Sequence, residues 1–386
     1  MLGAESRRGT RRQTANLSVW WIFPIAFAAY FCLGRFNLFY YRGWLDNGII
    51  WIAGLGLVAF LVGSMLTRVV MPAAASRHTQ TVRSENVSKR LLLLLVALGI
   101  TGAAVTLVRS GGLPLFMGEA RFELTTVEYL SALLLVPFSL LYAIDRSVRL
   151  RRRVVAIALT LACLLSLGYR TPGLLILATL GVFGLSWGIV RFRMRWIFLG
   201  AGVVFGASWL NVWRFGAGSG EFFSILRRAG MTPEETLFAP TWVTLREGVA
   251  VASVATDAAQ QGGTYGGAIF ASMWLSLLPG EQTGPRDYFA ILVSGRDGVT
   301  ITPSIVGQPL LDWGMPGLLV FMFALGVLLT WSILSHFLAL SPHVSLAMSF
   351  TVALCTLAIH SGILDPVLFI MCVSFWVLAK QQLKDG

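Results

Sequence analysis

Long apolar stretches separated by short charged segments run through most of this chain. A helix needs about 20 apolar residues to cross the roughly 30 Å of bilayer hydrocarbon, and ten stretches approach or exceed that length. The pattern therefore predicts an all-α bundle of about ten membrane-spanning helices. They are placed at residues 17–34, 48–66, 91–108, 127–145, 154–169, 172–190, 196–212, 315–335, 343–360 and 363–379.

The spacing of these stretches is uneven and predicts three parts. Seven spans occupy residues 1–212, a long segment without a span covers 213–314, and three spans with a short tail form 315–386. Within the long segment, proline and two acids predict the start of a helix at Pro233, and Gly262-Gly263 predicts its end. The stretch 268–278 is apolar but too short to span, which predicts a re-entrant or surface-lying helix.

Composition and charge exclude a soluble globule and orient the bundle. The chain is 56% hydrophobic and 12% charged, with a mean hydropathy of +0.74. With the N-terminus inside, 19 of the 30 basic residues but only four acids fall on the inner side. The positive-inside rule therefore predicts both termini in the cytoplasm. The net charge of +12 is then a topology signal that also attracts anionic membrane lipids, and nucleic acid is not an expected partner.

All eleven basic residues on the predicted external side are arginines, whereas Lys89, Lys380 and Lys384 are predicted to be internal. Arginine carries a planar, permanently charged fork that binds phosphate or carboxylate through paired hydrogen bonds, and lysine does not. The bias indicates an external face that binds anionic groups.

Recognisable cofactor chemistry is absent from the sequence. No phosphate-loop, dinucleotide or metal-ligand motif occurs, and His360 is the one histidine predicted near the external face. We therefore expect no cofactor, and chemistry that needs no metal or uses a metal held by carboxylates alone.

Individual external residues have competing interpretations. Arg170, beside Tyr169, follows a helix of only about sixteen residues, so it either faces the bundle interior near the interface or extends to the lipid headgroups. Arg246 and Glu247 lie in the middle of the predicted helix, about 100° apart around its axis, so one can bind an anion while the other takes a proton. His360 and Asp365 form either a proton-transfer pair or a structural turn.

The remaining arginines are weaker candidates. Arg121 belongs to an anion site or to a local salt-bridged turn with Glu119, Glu123 and Glu128. Arg214, just beyond the seventh predicted span, is an anion-binding candidate. Arg296 is another, for which a solvated surface is the favoured alternative.

Several short motifs resemble those of the Wzy-type O-antigen polymerases. They are Gly111-Gly112-Leu113-Pro114-Leu115-Phe116 with Arg121 downstream, the hairpin Tyr169-Arg170-Thr171-Pro172, the large late external segment, and the stretch from Thr302-Pro303 to Gly317. Arg246 to Gly262 and Arg214 to Gly230 also fit the Arg-x15-Gly spacing of external loops in this family.

This resemblance implies a GT-C-like membrane glycosyltransferase that joins oligosaccharides carried on polyprenyl diphosphate at the external face. Chain-length regulators and a flippase are the implied protein partners. No diagnostic catalytic acid or base of the family can be matched, so Glu247, Asp297 and His360 all remain candidate bases. A ligase with the same donor is the nearest alternative function, and a transporter or flippase the more distant one.

Overall fold

The computed structural model describes residues 19–34, 48–71, 87–117, 127–145, 147–168, 170–189, 200–206, 208–209, 232–278, 284–295, 301–339, 341–363 and 365–384. Throughout these residues the regular structure is helical, without a strand, which confirms the all-α prediction. Contacts divide the chain into one unit of residues 1–82, 184–191 and 242–385, and a second of 83–183 and 192–241.

Thirteen α-helices are described. They are α1 (Val19–Gly34), α2 (Gly48–Val70), α3 (Lys89–Ser110), α4 (Val127–Ala132), α5 (Leu135–Ile144), α6 (Leu150–Ser166), α7 (Thr171–Ser186), α8 (Pro233–Gln261), α9 (Ala268–Leu275), α10 (Pro285–Ser294), α11 (Ser304–Ala339), α12 (Pro342–Ser361) and α13 (Pro366–Lys384). Residues 200–206 and 208–209 are also helical, and Pro114–Phe116 forms a 3-10 turn.

Four of these helices are long and apolar enough to cross a membrane: α2, α3, α11 and α12. Shorter apolar helices lie at Val19–Gly34, Leu130–Ile144, Thr171–Ser186 and Pro366–Gln381. These elements fall where the apolar pattern predicts spans, so the polytopic membrane architecture is confirmed.

Two spans differ from the sequence prediction, and proline accounts for both. The stretch 127–145 is divided into α4 and α5, because Pro137 has no N–H to bond the carbonyl of Leu133. The span predicted at 315 belongs to a helix that begins at Ser304 and breaks at Gly314 (φ 68°, ψ −163°). Pro316 likewise leaves the carbonyl of Asp312 without its helical donor.

In the described part of the 213–314 segment, the helices fall where the sequence predicted them. Helix α8 runs from Pro233 to Gln261, the limits expected from its proline start and Gly262-Gly263 stop. The apolar stretch after it forms α9 and then a turn to Leu278.

The first unit contains α1, α2, α8 from Trp242 onward, and α9 to α13. Its most extensive contact joins α2 to α11, followed by α11 with α12 and α12 with α13. A Cβ added at Gly63 would collide with the Phe323 carbonyl, and one at Gly326 with the Phe60 carbonyl. Small residues thus bring the two backbones together, as is common between membrane helices.

The second unit packs α3 against α4 and α5, and α5 against α6. Glycine again allows the close approach, since a Cβ at Gly99 would meet the Leu135 side chain at 2.8 Å and one at Gly102 would meet Ser131.

Candidate functional site

Two titratable side chains meet where α1 and α12 end. The Tyr30 hydroxyl lies 2.9 Å from Nδ1 of His360, and the two rings meet edge to face with centroids 5.9 Å apart. Tyr30 is one turn before Gly34, and His360 is one residue before the last residue of α12. Both helix ends are those predicted to face the exterior.

The middle of α8 lies against the same two helix ends. A Cβ at Gly248 would collide with the Tyr30 hydroxyl and would lie 3.2 Å from the His360 carbonyl oxygen. The Gly248 backbone hydrogen-bonds the Tyr30 hydroxyl, and Glu247 directly precedes Gly248 in the chain. One turn along, Gly34 is in contact with Val249. Tyr30, Glu247 and His360 therefore form one group, called here the Tyr–Glu–His cluster.

Arg246, directly before Glu247 in α8, is a buried permanent cation. Only 5% of its surface is exposed, whereas Glu247 is half-buried. A buried guanidinium is costly unless charged or polar groups compensate it, and such residues concentrate at functional sites of membrane proteins.

The first part of α11 closes another side of the cluster. The Thr302 N–H points to Oε1 of Glu247 at 3.5 Å. The Ile363 N–H donates to Oε1 of Gln308 at 3.1 Å, which holds the turn that follows His360. Gly362 (φ 71°) lies in this turn, where an added Cβ would be 3.0 Å from Pro303. The left-handed φ and the close contact both favour glycine here.

Asp365, offered by the sequence as the partner of His360, has a capping role in the structure. Its Oδ1 accepts the N–H groups of Val367 (3.0 Å) and Leu368 (3.3 Å) at the start of α13. Arg286, on α10, is close enough for its charge to attract the Asp365 carboxylate. The hydrogen bond of His360 that defines the cluster is made with Tyr30.

Arg170 lies in the connection between α6 and α7, as the sequence predicted. Its side chain is half-buried, and its carbonyl accepts the Leu174 N–H at 2.9 Å at the start of α7. It belongs to the second unit, whereas the Tyr–Glu–His cluster belongs to the first. The other predicted anion-binding residues lie outside the described residues: Arg121, Arg214, Arg296 and Tyr169.

Glu128, one of the acids that could pair with Arg121, forms an ion pair with Arg109 in the structure. Glu128 accepts from Arg109 at 2.8 Å, and Arg109 is 60% exposed. Such a surface pair contributes little to stability, about 0–1 kcal/mol. Arg109 is thus a solvated arginine on the side predicted to be external, in contrast to buried Arg246.

Sequence reasoning missed two residues of this region, Tyr30 and Gln308. Tyr30 resembles the interfacial tyrosines common at the ends of membrane spans. Gln308 lies seven residues before the predicted start of its span. The available signal was a polar side chain within an apolar stretch, which must find a hydrogen-bond partner when buried.

The arrangement combines groups suited to group transfer. A carboxylate can accept a proton, a histidine and a tyrosine share a hydrogen bond beside it, and a buried arginine can stabilise negative charge.

Comparison with known families identifies the chain. A family model described as "Putative O-antigen polymerase" matches residues 17–372, nearly the whole length. No curated protein and no solved structure matches the chain. The chain therefore belongs to the O-antigen polymerase family, integral membrane proteins of polysaccharide biosynthesis with glycosyltransferase-type activity on lipid-linked oligosaccharides.

Proposed function

We propose that this protein polymerises polyprenyl-diphosphate-linked oligosaccharide repeat units at the external face of the bacterial cytoplasmic membrane. The observation that carries the proposal is the contact of α8 at Gly248 with the hydrogen-bonded pair Tyr30 and His360, directly after Glu247 and buried Arg246 in the chain. Three of these residues were selected from sequence because they lie on the predicted external side.

The proposed orientation has both termini in the cytoplasm and the 213–314 segment outside. The inner excess of basic residues supports it. The structure adds geometric support, since the middle of α8 contacts α1 and α12 at the ends that this topology makes external. An external site is consistent with a donor that is presented to the membrane surface by its lipid.

The donor diphosphate is proposed to bind arginine. As the bond between the anomeric carbon and the phosphate oxygen breaks, its electron pair moves to the diphosphate, whose negative charge increases. A buried guanidinium such as Arg246 stabilises that charge more strongly than a solvated cation does, because little water screens it. Arg170, Arg121, Arg214 and Arg296, with Tyr169, are the further proposed contacts of donor and oligosaccharide.

Glu247 is the proposed general base. Its carboxylate removes the proton from the acceptor hydroxyl while the acceptor oxygen forms a bond to the anomeric carbon. Attack from the face opposite the diphosphate inverts the anomeric centre. His360, hydrogen-bonded to Tyr30, is proposed to orient the acceptor. This scheme uses neither metal nor cofactor, because arginines supply the positive charge.

The scheme requires that the repeat unit first be delivered across the membrane, and that chain growth be stopped. A flippase and a chain-length regulator are the proposed partners for these two steps. Membrane lipids surround the apolar helix surfaces.

The test uses purified protein in nanodiscs with a polyprenyl-diphosphate-linked repeat unit as the sole glycan. A ladder of products that differ by one repeat unit is the expected result. Arg246→Ala and Arg170→Ala are expected to abolish the ladder at normal protein levels, while Arg109→Gln keeps it. Normal ladders from both alanine variants would refute the site.

The same assay separates the alternatives. Transfer only to an added lipid or protein acceptor, with no ladder, would identify a ligase. Movement of the lipid-linked substrate across the membrane without a glycan product would identify a transporter.

A further inference from the structure

One face of the first part of α11 carries three buried polar residues. Ser304, Gln308 and Asp312 follow one another at intervals of four in residues 304–313, here called the half-helix. Their exposed fractions are 0%, 5% and 0%. Side chains four residues apart lie on the same helix face, and buried polar groups are costly unless they are hydrogen-bonded.

Two of these side chains bind main-chain groups of other segments. Gln308 accepts from Ile363 in the turn after His360, at 3.1 Å. The two carboxylate oxygens of Asp312 accept from Ile269 (2.9 Å) and Phe270 (2.8 Å) at the start of α9. The half-helix is thus bonded to two segments that are far apart in sequence.

The half-helix also packs directly on α8, near Glu247. A Cβ at Gly307 would lie 3.2 Å from Cα of Ala252, and one at Gly248 would lie 3.3 Å from Cβ of Ser304. At these distances the two backbones have little room to move independently.

The start of α9 reaches α8 as well. Ile269, whose N–H binds Asp312, packs in one buried cluster with Val251 and Ala255 of α8. These residues lie one and two turns after Glu247, on the face that Glu247 shares. Asp312 therefore supports α8 through α9, while Gln308 holds the turn beside His360.

We propose that Gln308 and Asp312 are positioning residues of the glycosyl transfer. They hold the half-helix between α8 and the His360 turn, so that Glu247 and His360 keep the separation at which a donor and an acceptor fit. The inference rests on the proposed assignment of the Tyr–Glu–His cluster as the reaction site. Neither side chain is proposed to touch substrate.

The chemistry of the two side chains fits this role. Irregular backbone at membrane depth needs hydrogen-bond partners from the protein, because lipid supplies none. A carboxylate can accept two N–H groups at a helix start, where the helix dipole favours its negative charge. The Asp312→Asn substitution keeps one acceptor but turns an NH₂ group toward the second N–H.

The experiment compares variants that remove these bonds with matched controls. Gln308→Leu removes the acceptor at similar volume, Gln308→Asn withdraws it by one methylene, and Gln308→Glu retains it. Asp312→Asn removes one of two bonds. One control is Thr330→Val, on the same helix as Gln308, which removes a buried hydroxyl bond to Ser64 of α2. The other is Asp145→Asn in the second unit, where the Asp145 carboxylate accepts the Ser147 N–H.

Two measurements are made on folded protein in nanodiscs. Polymerisation rates measured at several concentrations of the lipid-linked repeat unit give kcat and KM separately. Hydrogen–deuterium exchange reports the backbone stability of peptides 242–252, 265–275 and 358–366. We expect Gln308→Leu, Gln308→Asn and Asp312→Asn to lower kcat about 10- to 100-fold with KM within about 2-fold, since small misplacements of reacting groups have effects of this size. Gln308→Glu is expected to recover most of kcat.

Hydrogen–deuterium exchange distinguishes a positioning role from a merely local structural role, because only a positioning role changes exchange around Glu247. A positioning role predicts faster exchange in 242–252, which contains Glu247, by about 10-fold in the Gln308→Leu and Asp312→Asn variants. Exchange confined to 265–275 or 358–366, with normal kcat per folded molecule, would overturn the inference. So would an equal loss of kcat in Thr330→Val.

Failure of the inference can be told apart from failure of the proposed function. A wild-type protein that makes no polymer overturns both. If the wild type polymerises, Glu247→Gln does not, and Gln308→Leu is fully active, the inference alone is overturned and the site stands. Where Gln308→Leu does not fold, Gln308→Asn and Asp312→Asn decide.

Discussion

Helix α11 has two parts that use buried polar groups differently. After Gly314, Thr330 donates to Ser64 at 2.9 Å, and Ser64 donates to the Gly326 carbonyl at 3.3 Å. These bonds join one regular helix to another. Before Gly314, Gln308 accepts a backbone N–H from the turn after α12, and Asp312 accepts a backbone N–H at the start of α9.

The difference shows what each kind of side chain contributes within a membrane protein. Hydroxyls between regular helices add modest stability, since the backbone there is already satisfied. An amide or carboxylate that binds unsatisfied N–H groups allows irregular backbone to persist, and irregular backbone brings functional side chains together. The α2–α11 crossing is therefore a stability region, and the half-helix with the Tyr–Glu–His cluster is the proposed activity region.

The largest expected effect is that of Glu247→Gln, which should lower activity without lowering stability. Glu247→Gln keeps the shape of the side chain and removes the base, so we expect kcat for polymerisation to fall about 10²- to 10⁴-fold. Thermal unfolding in nanodiscs should change little, because Glu247 is only half-buried. Polymer formation at more than a tenth of the wild-type rate would move the base to another residue.

The second prediction compares equivalent substitutions at two glycines. Gly248→Ala places a methyl group against the Tyr30 hydroxyl, and Gly326→Ala places one against the Phe60 carbonyl. We expect Gly248→Ala to lower kcat about tenfold or more by displacing the cluster. Gly326→Ala should instead lower stability by about 1–3 kcal/mol through overpacking.

Rates for these two variants are normalised to folded protein, which is measured by size-exclusion chromatography and thermal unfolding. The comparison breaks if Gly326→Ala loses as much normalised activity as Gly248→Ala.

The third prediction concerns the hydrogen bond between Tyr30 and His360. Tyr30→Phe removes it with little change of volume. If the loss of this hydrogen bond raises the activation free energy by about 1 kcal/mol, kcat falls roughly fivefold. Tyr142, which stacks on Phe138 in α5, provides the matched control. Initial rates of Tyr142→Phe should equal the wild type, and equal rates in both variants would remove Tyr30 from the site.

The smallest effect is expected at the crossing. Thr330→Val should lower unfolding free energy by about 0.6 kcal/mol, the average for hydrogen bonds between membrane helices, and leave kcat unchanged. Denaturant titration with a kinetic assay on the same sample measures both. A fall in kcat without loss of stability would extend the activity region beyond Gly314.

Part of the site could be located from the sequence because short sequence motifs set the limits of the helix that carries it. Arg246 and Glu247 lie in a helix whose limits were set by Pro233 and by Gly262-Gly263, and the structure has those limits. Their catalytic and binding roles remain predictions, as do those of Arg170, His360 and the four candidates outside the described residues.

Sequence could not identify the partners of those residues. Tyr30 and His360 are 330 positions apart, and nothing in either local sequence indicates the other. The same holds for Asp312, whose carboxylate binds the N–H groups at the start of α9, more than forty positions earlier in the chain.

The sequence by itself determined the membrane architecture, because apolar length acts through the bilayer and needs no particular partner. It also determined the family, through patterns spread over nearly the whole chain. Only the tertiary structure decided that α1, α8, α11 and α12 meet at one cluster. Their contacts depend on glycine clearances and buried hydrogen bonds between distant segments, which arise only when the helices pack.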